Sequence, residues 1–246
     1  MFVSGKKKDK IFSIFDHVIK IVYEDKYILI INKPAGLVVH PGSGNINGTL
    51  MDILSLKKKY LINIPRSGIV HRLDKNTTGL MIIAKNIFTY FKLVNLIKYR
   101  NIIREYDAFV IGNVVSGGTV SIPISRNKKK RVCMMSNKNG KPSITHFKII
   151  QKFHASTHVR LKLETGRTHQ IRVHMLHIKH PILGDPVYKL GCSFPKNITK
   201  CAYQMNLLDR QALHASHIKF LHPITNILVD CYIPLPKDMI YLMNYL

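Results

Sequence analysis

Short runs rich in β-branched and aromatic residues recur along this chain, with no regular helical crossovers between them. Ile19–Tyr23, Tyr27–Ile31, Leu80–Ala84, Arg104–Ile111, Val132–Met135, Ser143–Ile150, His158–Leu163, Ala212–Phe220 and Ile227–Ile233 all read as strands. Doubly wound parallel folds need a helix between successive strands, so this order predicts an α+β fold with a mainly antiparallel sheet. Helices are expected at four places. One is capped by Thr49, carries Leu50, Ile53 and Leu54 on one face and ends in Lys57–Tyr60. The second opens at Asn86 and runs to about Tyr99, with Phe88, Phe91, Val94 and Leu96 among its apolar positions. The others cover Thr168–Lys179 and Lys237–Tyr245. Asn32–Gly36, Gly117–Gly118 and Pro181–Tyr188 are turns, and Arg126–Arg131 is a basic loop. No repeat and no long linker interrupts the 246 residues. The expected organisation is a basic N-terminal tail over residues 1–16 and one domain over residues 17–246.

Charge narrows the function classes. Lys and Arg number 38 against 13 acids, a formal net charge of +25. Such a field favours a polyanionic partner, nucleic acid first. Part of the lysine excess fits drift of the coding sequence, which would leave many surface lysines as solvated bystanders. Cys133, Cys192, Cys201 and Cys231 form no CxxC pair, and they read as reduced packing residues of an intracellular protein. No apolar run approaches membrane-spanning length and the N-terminus has no apolar signal region, so a soluble cytoplasmic protein is expected.

Two stretches carry chemistry. In the first, Ser67–Lys85, Asp74 stands between Arg72 and Lys75, follows His71 and leads through Thr77-Thr78-Gly79 into the apolar run Leu80–Ala84. An acid on a short polar loop held by a buried strand is a common catalytic placement, and equally a common surface ion pair. In the second, Glu164–His174, a helix from Thr168 puts Ile171, Met175, Leu176 and Ile178 on one stripe, with Arg172 inside it. A buried guanidinium must find an anion. Asp74 is one candidate, which would hold that carboxylate ionised and fixed; Glu164 or backbone carbonyls are the other. His169, His174, His177 and His180 crowd this region without Cys or carboxylate on a shared face, so a metal site is not expected. Tyr106, among cations at a strand start, suits stacking on an extruded base, although an ordinary strand tyrosine reads the same way. His71–Asp74 echoes a kinase catalytic loop, but no Gly-rich loop or DFG accompanies it, and no nucleotide-binding motif is present.

Taken together, Ile31–Pro34 with Val39–Gly42, HRLDKNTTGL at 71–80, REYDA at 104–108, ETGRTHQIRVHM at 164–175, HPILGDPVY at 180–188 and RQALHA at 210–215 resemble the RluA-type pseudouridine synthases. The resemblance runs from about residue 17 to the end and is nearest to the family's large-subunit ribosomal RNA enzymes. It implies a mixed, mostly antiparallel sheet flanked by helices and loops with an RNA-binding cleft. It also implies isomerisation of uridine in 23S ribosomal RNA, with no cofactor and no metal, by a monomer acting on free RNA or assembling particles. On this resemblance Asp74 is the catalytic aspartate and Arg172 the arginine paired with it. Tyr106 packs on the base and assists removal of the C5 proton, Arg72 fills the space left by the flipped nucleotide, and Leu213 lies beneath the base. His71, Arg167 and His169 fall in the same blocks as substrate-binding residues. An ionised carboxylate near the ribose either attacks C1′ or takes the C2′ proton, and both routes stay open. Relatives often carry an S4-like RNA-binding domain before the catalytic one, where here only the Lys-rich tail is expected. Competing readings are a synthase acting on another structured RNA such as tRNA, and a ribosome-assembly protein that binds RNA without catalysis.

Overall fold

The computed structural model describes residues 19–42, 44–189 and 208–246. The expected tail over residues 1–16 and the stretch between Lys189 and Leu208, including Cys192 and Cys201, lie outside them. The fold is α+β, with mostly antiparallel strands and, among the described residues, four α-helices. Two compact units divide it: residues up to Ile102 with Ile218–Ile233, and Ile103–His217 with Pro234–Leu246.

In the first unit, β1 (Lys20–Glu24), β2 (Ile28–Lys33) and β3 (Thr78–Ala84) pair antiparallel in that order. Every residue of β3 is buried, which is why Leu80–Ala84 runs apolar without alternation. Ile28, Ile30, Leu80 and Ile82 share one core with Leu93, Ile218, Phe220 and Val229. Each such side chain contributes about 1.5–3 kcal/mol by leaving water. Helix α1 (Leu50–Lys57) opens in a capping box, in which Thr49 Oγ1 accepts from Asp52 N–H and Asp52 accepts from the Thr49 N–H. Helix α2 (Ile87–Lys98) is capped by Asn86, as expected. Its burial differs from expectation: Thr89 and Leu93 face inward, whereas Phe88 and Phe91 are 61% and 57% exposed. Positions 89 and 93 are four apart and define the covered face; 88 and 91 are rotated about 100° and more from it.

In the second unit, β4 (Ile103–Ile111), β5 (Gly118–Ser121), β8 (Ile144–Lys152), β9 (Ser156–Leu163) and the start of β10 (Leu213–Leu221) form neighbours in the order β10-β4-β9-β8-β5. β4 runs antiparallel to β9, with Tyr106 opposite Leu161 and Asp107 opposite Arg160. A separate hairpin, β6 (Ile124–Arg126) with β7 (Met134–Ser136), carries the basic loop at its tip. Helix α3 covers Gln170–His177, two residues later than Thr168, because His169 takes a left-handed conformation (φ 55°) just before it. β11 (Leu228–Tyr232) pairs with β10, and α4 (Lys237–Met243) closes the chain.

Candidate active site

The Asp74 loop is built on the most buried strand of the first unit. Thr77 N–H donates to the Asp74 carbonyl (3.1 Å), closing a tight turn over Lys75-Asn76, and Leu73 is buried beneath it. Two side chains fasten this loop. The His71 ring accepts at Nε2 from the Ile82 N–H (2.9 Å), tying the start of the loop to β3. Lys33, at the end of β2, is fully buried, and its ammonium donates to the carbonyls of Pro34 (2.7 Å), Leu37 (3.0 Å) and Lys75 (3.0 Å). An ammonium has three donors, so a cage of carbonyls satisfies it while fixing the residue that follows Asp74. Asp74 itself is half-buried and Arg72 is exposed. His40 belongs to the same cationic neighbourhood: burial first, then the Arg66 and Arg72 guanidiniums, hold its pKa below the usual imidazole value. Sequence reading took Asn32–Gly36 for a turn and missed Lys33 as a buried clamp.

The candidate residues of the second unit lie on β4, α3 and the start of β10. Tyr106 is buried on β4. Its neighbours Glu105 and Asp107, whose side chains leave the opposite face, are both engaged. Glu105 pairs with His217 (2.9 Å), and Asp107 accepts from His158 Nε2 (2.8 Å), Arg160 and Ser216. Burial pushes the Asp107 carboxyl up, but these hydrogen bonds and the Arg160 charge overcome it and leave its pKa below the ordinary value. Leu213 is buried at the first position of β10, on a strand neighbouring β4; Phe109 N–H donates to the adjacent Ala212 carbonyl (3.2 Å).

Arg172 is buried, as the stripe requires, and its partner in this unit is Asp185. Nε donates to Oδ2 (2.7 Å) and Nη2 to Oδ1 (2.9 Å), a two-pronged pair. Asp185 Oδ1 also accepts from the N–H groups of Val187 (2.9 Å) and Tyr188 (3.0 Å). Glu164, one of the alternatives weighed above, bonds His146 (2.7 Å). Asp185 lies in the GDPVY stretch quoted above. An Asp before Pro that caps the following amides was the available signal. Gly184 before it has φ +71°, and a Cβ there would sit 2.2 Å from the Arg210 carbonyl oxygen, so this turn admits only glycine.

Tyr188 extends the site. The Arg172 guanidinium lies 4.8 Å from its ring centroid, and its hydroxyl accepts from the Met134 N–H (2.8 Å) and shares a hydrogen bond with His169 Nδ1 (2.8 Å). Burial raises its pKa to about 12, so it stays a neutral phenol. His169, proposed for substrate binding, and Arg172, proposed for catalysis, therefore meet on Tyr188. Arg167 is exposed, its N–H bonded to Gln170 Oε1 (3.0 Å). Gln170 is a hub that sequence reading missed. Its amide accepts from Arg167 and Thr165 and donates to Ile144 O and Thr145 Oγ1, fixing the turn before α3 to β8. His174 is bonded at both ring nitrogens, to Thr145 Oγ1 and Ile122 O, and burial holds it neutral. Among the described residues no helix is long and apolar enough to cross a membrane.

Comparison with known proteins places this arrangement. The family profile described as RNA pseudouridylate synthase matches residues 27–177. The chain is 53% identical over 228 residues to the ribosomal large subunit pseudouridine synthase D of Buchnera aphidicola from Schizaphis graminum, covering 92% of this chain and 72% of that protein. It is 48% identical over 230 residues to the enzyme of the same name from Escherichia coli K12, covering 93% and 71%. Among solved structures, human RNA pseudouridylate synthase domain containing 1 matches with a TM-score of 0.68 at 26% identity, over 88% of this chain and 83% of that one. Human RNA pseudouridylate synthase domain containing 4 shares the fold, with a TM-score of 0.73 at 23% identity over 97% and 96%. On the family match and these identities, the chain belongs to the RNA pseudouridylate synthase family.

Proposed function

We propose that this protein isomerises specific uridines of large-subunit ribosomal RNA to pseudouridine, in the cytoplasm, with Asp74 as its catalytic carboxylate. The observation that carries the substrate is the identity of about half the residues, over most of the chain, to relatives named for that RNA. The net charge of +25 fits a polyanion of that size.

The reaction conserves atoms. The N1–C1′ glycosidic bond breaks, the uracil turns, C5 bonds to C1′, and the C5 proton leaves as N1 gains one. Asp74 supplies the ionised group that acts on the ribose. Its loop suits that duty because Lys33 and His71 fix the backbone on either side of Asp74, which is itself only half-buried. Tyr106 supplies an aromatic wall for the detached base, which must stay in a dry pocket, and Leu213 the apolar surface beneath it. Arg172 supplies a fixed cation, its orientation set by Asp185. Arg72, His71, Arg167 and His169 hold the RNA, with His40 and Arg66 adding to the charge around Arg72. Unstacking a uridine costs a few kcal/mol, and phosphate contacts by the exposed lysines offset it.

The test is pseudouridine mapping by carbodiimide and primer extension, on unmodified large-subunit transcript and on precursor particles. Wild-type protein gives new stops, and Asp74→Asn removes them with a rate loss of at least about 10³-fold, the scale of a lost catalytic acid or base. Tight RNA binding without stops on either substrate rejects the reading. Binding should also weaken steeply between 50 and 200 mM salt, as expected for many phosphate contacts.

A further inference from the structure

A pocket of about 280 Å³ opens in the second unit between the β6–β7 hairpin, α3 and the loop after Asp185. Met134, Val173, Leu176 and Tyr188 make its apolar wall, and Lys130 and His177 stand at it as polar groups. Of the site side chains described above only Tyr188, the ring that meets Arg172 and His169, reaches this pocket. Its size is near the lower end for small-molecule sites, about 300 Å³, and suits one ring system rather than a folded segment.

Three features select the occupant. The lining is largely apolar, with the two thioethers of Met134 and Met135 and one buried phenol ring, Tyr188, and no acidic residue among the described residues that form it. Such walls accept the flat face of a nucleobase by stacking. Directly beside it runs Lys128-Lys129-Lys130-Arg131, four exposed cations on the hairpin tip. That tip has a defined shape rather than a loose one: Asn127 Oδ1 accepts from the N–H groups of Lys129 (2.8 Å) and Lys130 (3.0 Å), and Arg126 donates to the Arg131 carbonyl (3.0 Å). An apolar slot for a ring next to a built row of cations is complementary to a nucleotide whose base is buried and whose phosphates lie outside. Tyr188, which lines the slot, also bears the Arg172 guanidinium over its ring and bonds Met134 and His169, so the wall is rigid.

We propose that this pocket takes the base of a second, unstacked nucleotide of the substrate RNA, with Lys128–Arg131 on the flanking phosphates. The proposal rests on the RNA reading above and adds a specificity site to it. Extruding the reacting uridine from a stacked strand breaks the stack on both sides, and a neighbouring base can then take an apolar berth.

Irradiation at 254 nm tests it, because an excited pyrimidine held in the pocket forms adducts with Cys, Met and Tyr side chains such as Cys133, Met134, Met135 and Tyr188. Protein bound to unmodified large-subunit transcript is irradiated, digested, and its nucleotide adducts located by mass spectrometry. Adducts are expected on the peptides carrying Cys133–Met135 or Tyr188. Val187→Trp, at an exposed pocket position, should reduce these adducts at least fivefold and leave adducts elsewhere unchanged. The same variant should raise KM for the transcript about tenfold while kcat at saturating RNA is retained. Adducts confined to Lys128–Arg131 or to other regions, or pocket adducts indifferent to Val187→Trp, overturn the proposal even if Asp74-dependent pseudouridine forms. Pocket adducts with no pseudouridine would instead reject the isomerase reading and keep the base site.

Discussion

Lys33, which fastens the Asp74 loop, and Arg172, itself proposed for catalysis, are both buried cations, and the chain satisfies them in opposite ways. The Lys33 ammonium is compact and donates in three directions, and backbone carbonyls from residues 34, 37 and 75 receive it. The Arg172 guanidinium is a planar fork, and one carboxylate, Asp185, meets two of its nitrogens. The first arrangement pins a loop by its backbone. The second pins a side chain by its plane. In a protein with only 13 acids, the difference shows where a carboxylate is needed for shape and where neutral dipoles suffice.

The largest effect should come from breaking the charged pair. Asp185→Asn leaves a buried guanidinium against a neutral amide and weakens the cap on Val187 and Tyr188. A stability loss of about 3–5 kcal/mol is expected, read by urea unfolding. The double variant Arg172→Met with Asp185→Asn should recover most of that loss, since replacing both partners removes the uncompensated charge. A double variant as unstable as the single one would mean that Asp185 acts mainly through the loop amides.

A third buried base, His214, is denied a charge altogether. Burial, then the nearby Arg210 cation, lowers its pKa to about 4. The unfolded chain takes up a proton near pH 6.5 that the folded chain refuses until about pH 4. Stability is therefore unaffected above about pH 6.5 and falls as the pH drops through that window, by about 3 kcal/mol in all. His174, also held neutral by burial, adds in the same direction. Unfolding titrations from pH 7 to pH 4 should show His214→Gln with a visibly shallower slope than wild type. Parallel slopes would refute the assignment.

Lys33 comes next in size. Lys33→Met strands three carbonyls, a loss of about 2–3 kcal/mol. Lys33→Arg should not restore the stability, because a flat guanidinium cannot fill an ammonium's carbonyl cage. Full rescue by arginine would show that only the charge matters and would erase the contrast with Arg172.

These same residues mark how far the sequence could be read. The strands were legible because burial on both faces forces runs such as Leu80–Ala84, and Thr49 and Asn86 announced their helices through cap chemistry. Arg172 was legible as buried because a cation inside an apolar stripe has nowhere else to go. Asp185 as its partner was not, since hydrophobic periodicity carries no information about which of 13 acids closes onto a given cation. Lys33 was hidden for a related reason. Between Asn32 and Pro34 it reads as part of a polar turn, and only the tertiary approach of Leu37 and Lys75 turns it into an anchor. Gln170 likewise gains its role from Thr165, Ile144 and Thr145, none of which is its helical neighbour.

The smallest and most discriminating effects lie at Phe88 and Phe91 of helix α2, where apolar character does not report burial. Phe88 and Phe91 look like core positions, yet both are more than half exposed, and the Lys92 ammonium sits 4.7 Å from the Phe88 ring centroid. Leu93 is fully buried in the core that includes β3. Leu93→Ala should cost about 2–5 kcal/mol, the range for a large-to-small change in a packed core. Phe88→Ser and Phe91→Ser should each change stability by less than about 0.5 kcal/mol, as surface substitutions do. Measured side by side in one denaturant series, the three variants test the orientation of the helix directly. A loss above about 2 kcal/mol at Phe88 or Phe91 would show that these rings are covered in the folded protein and that the helix face is rotated from the one described.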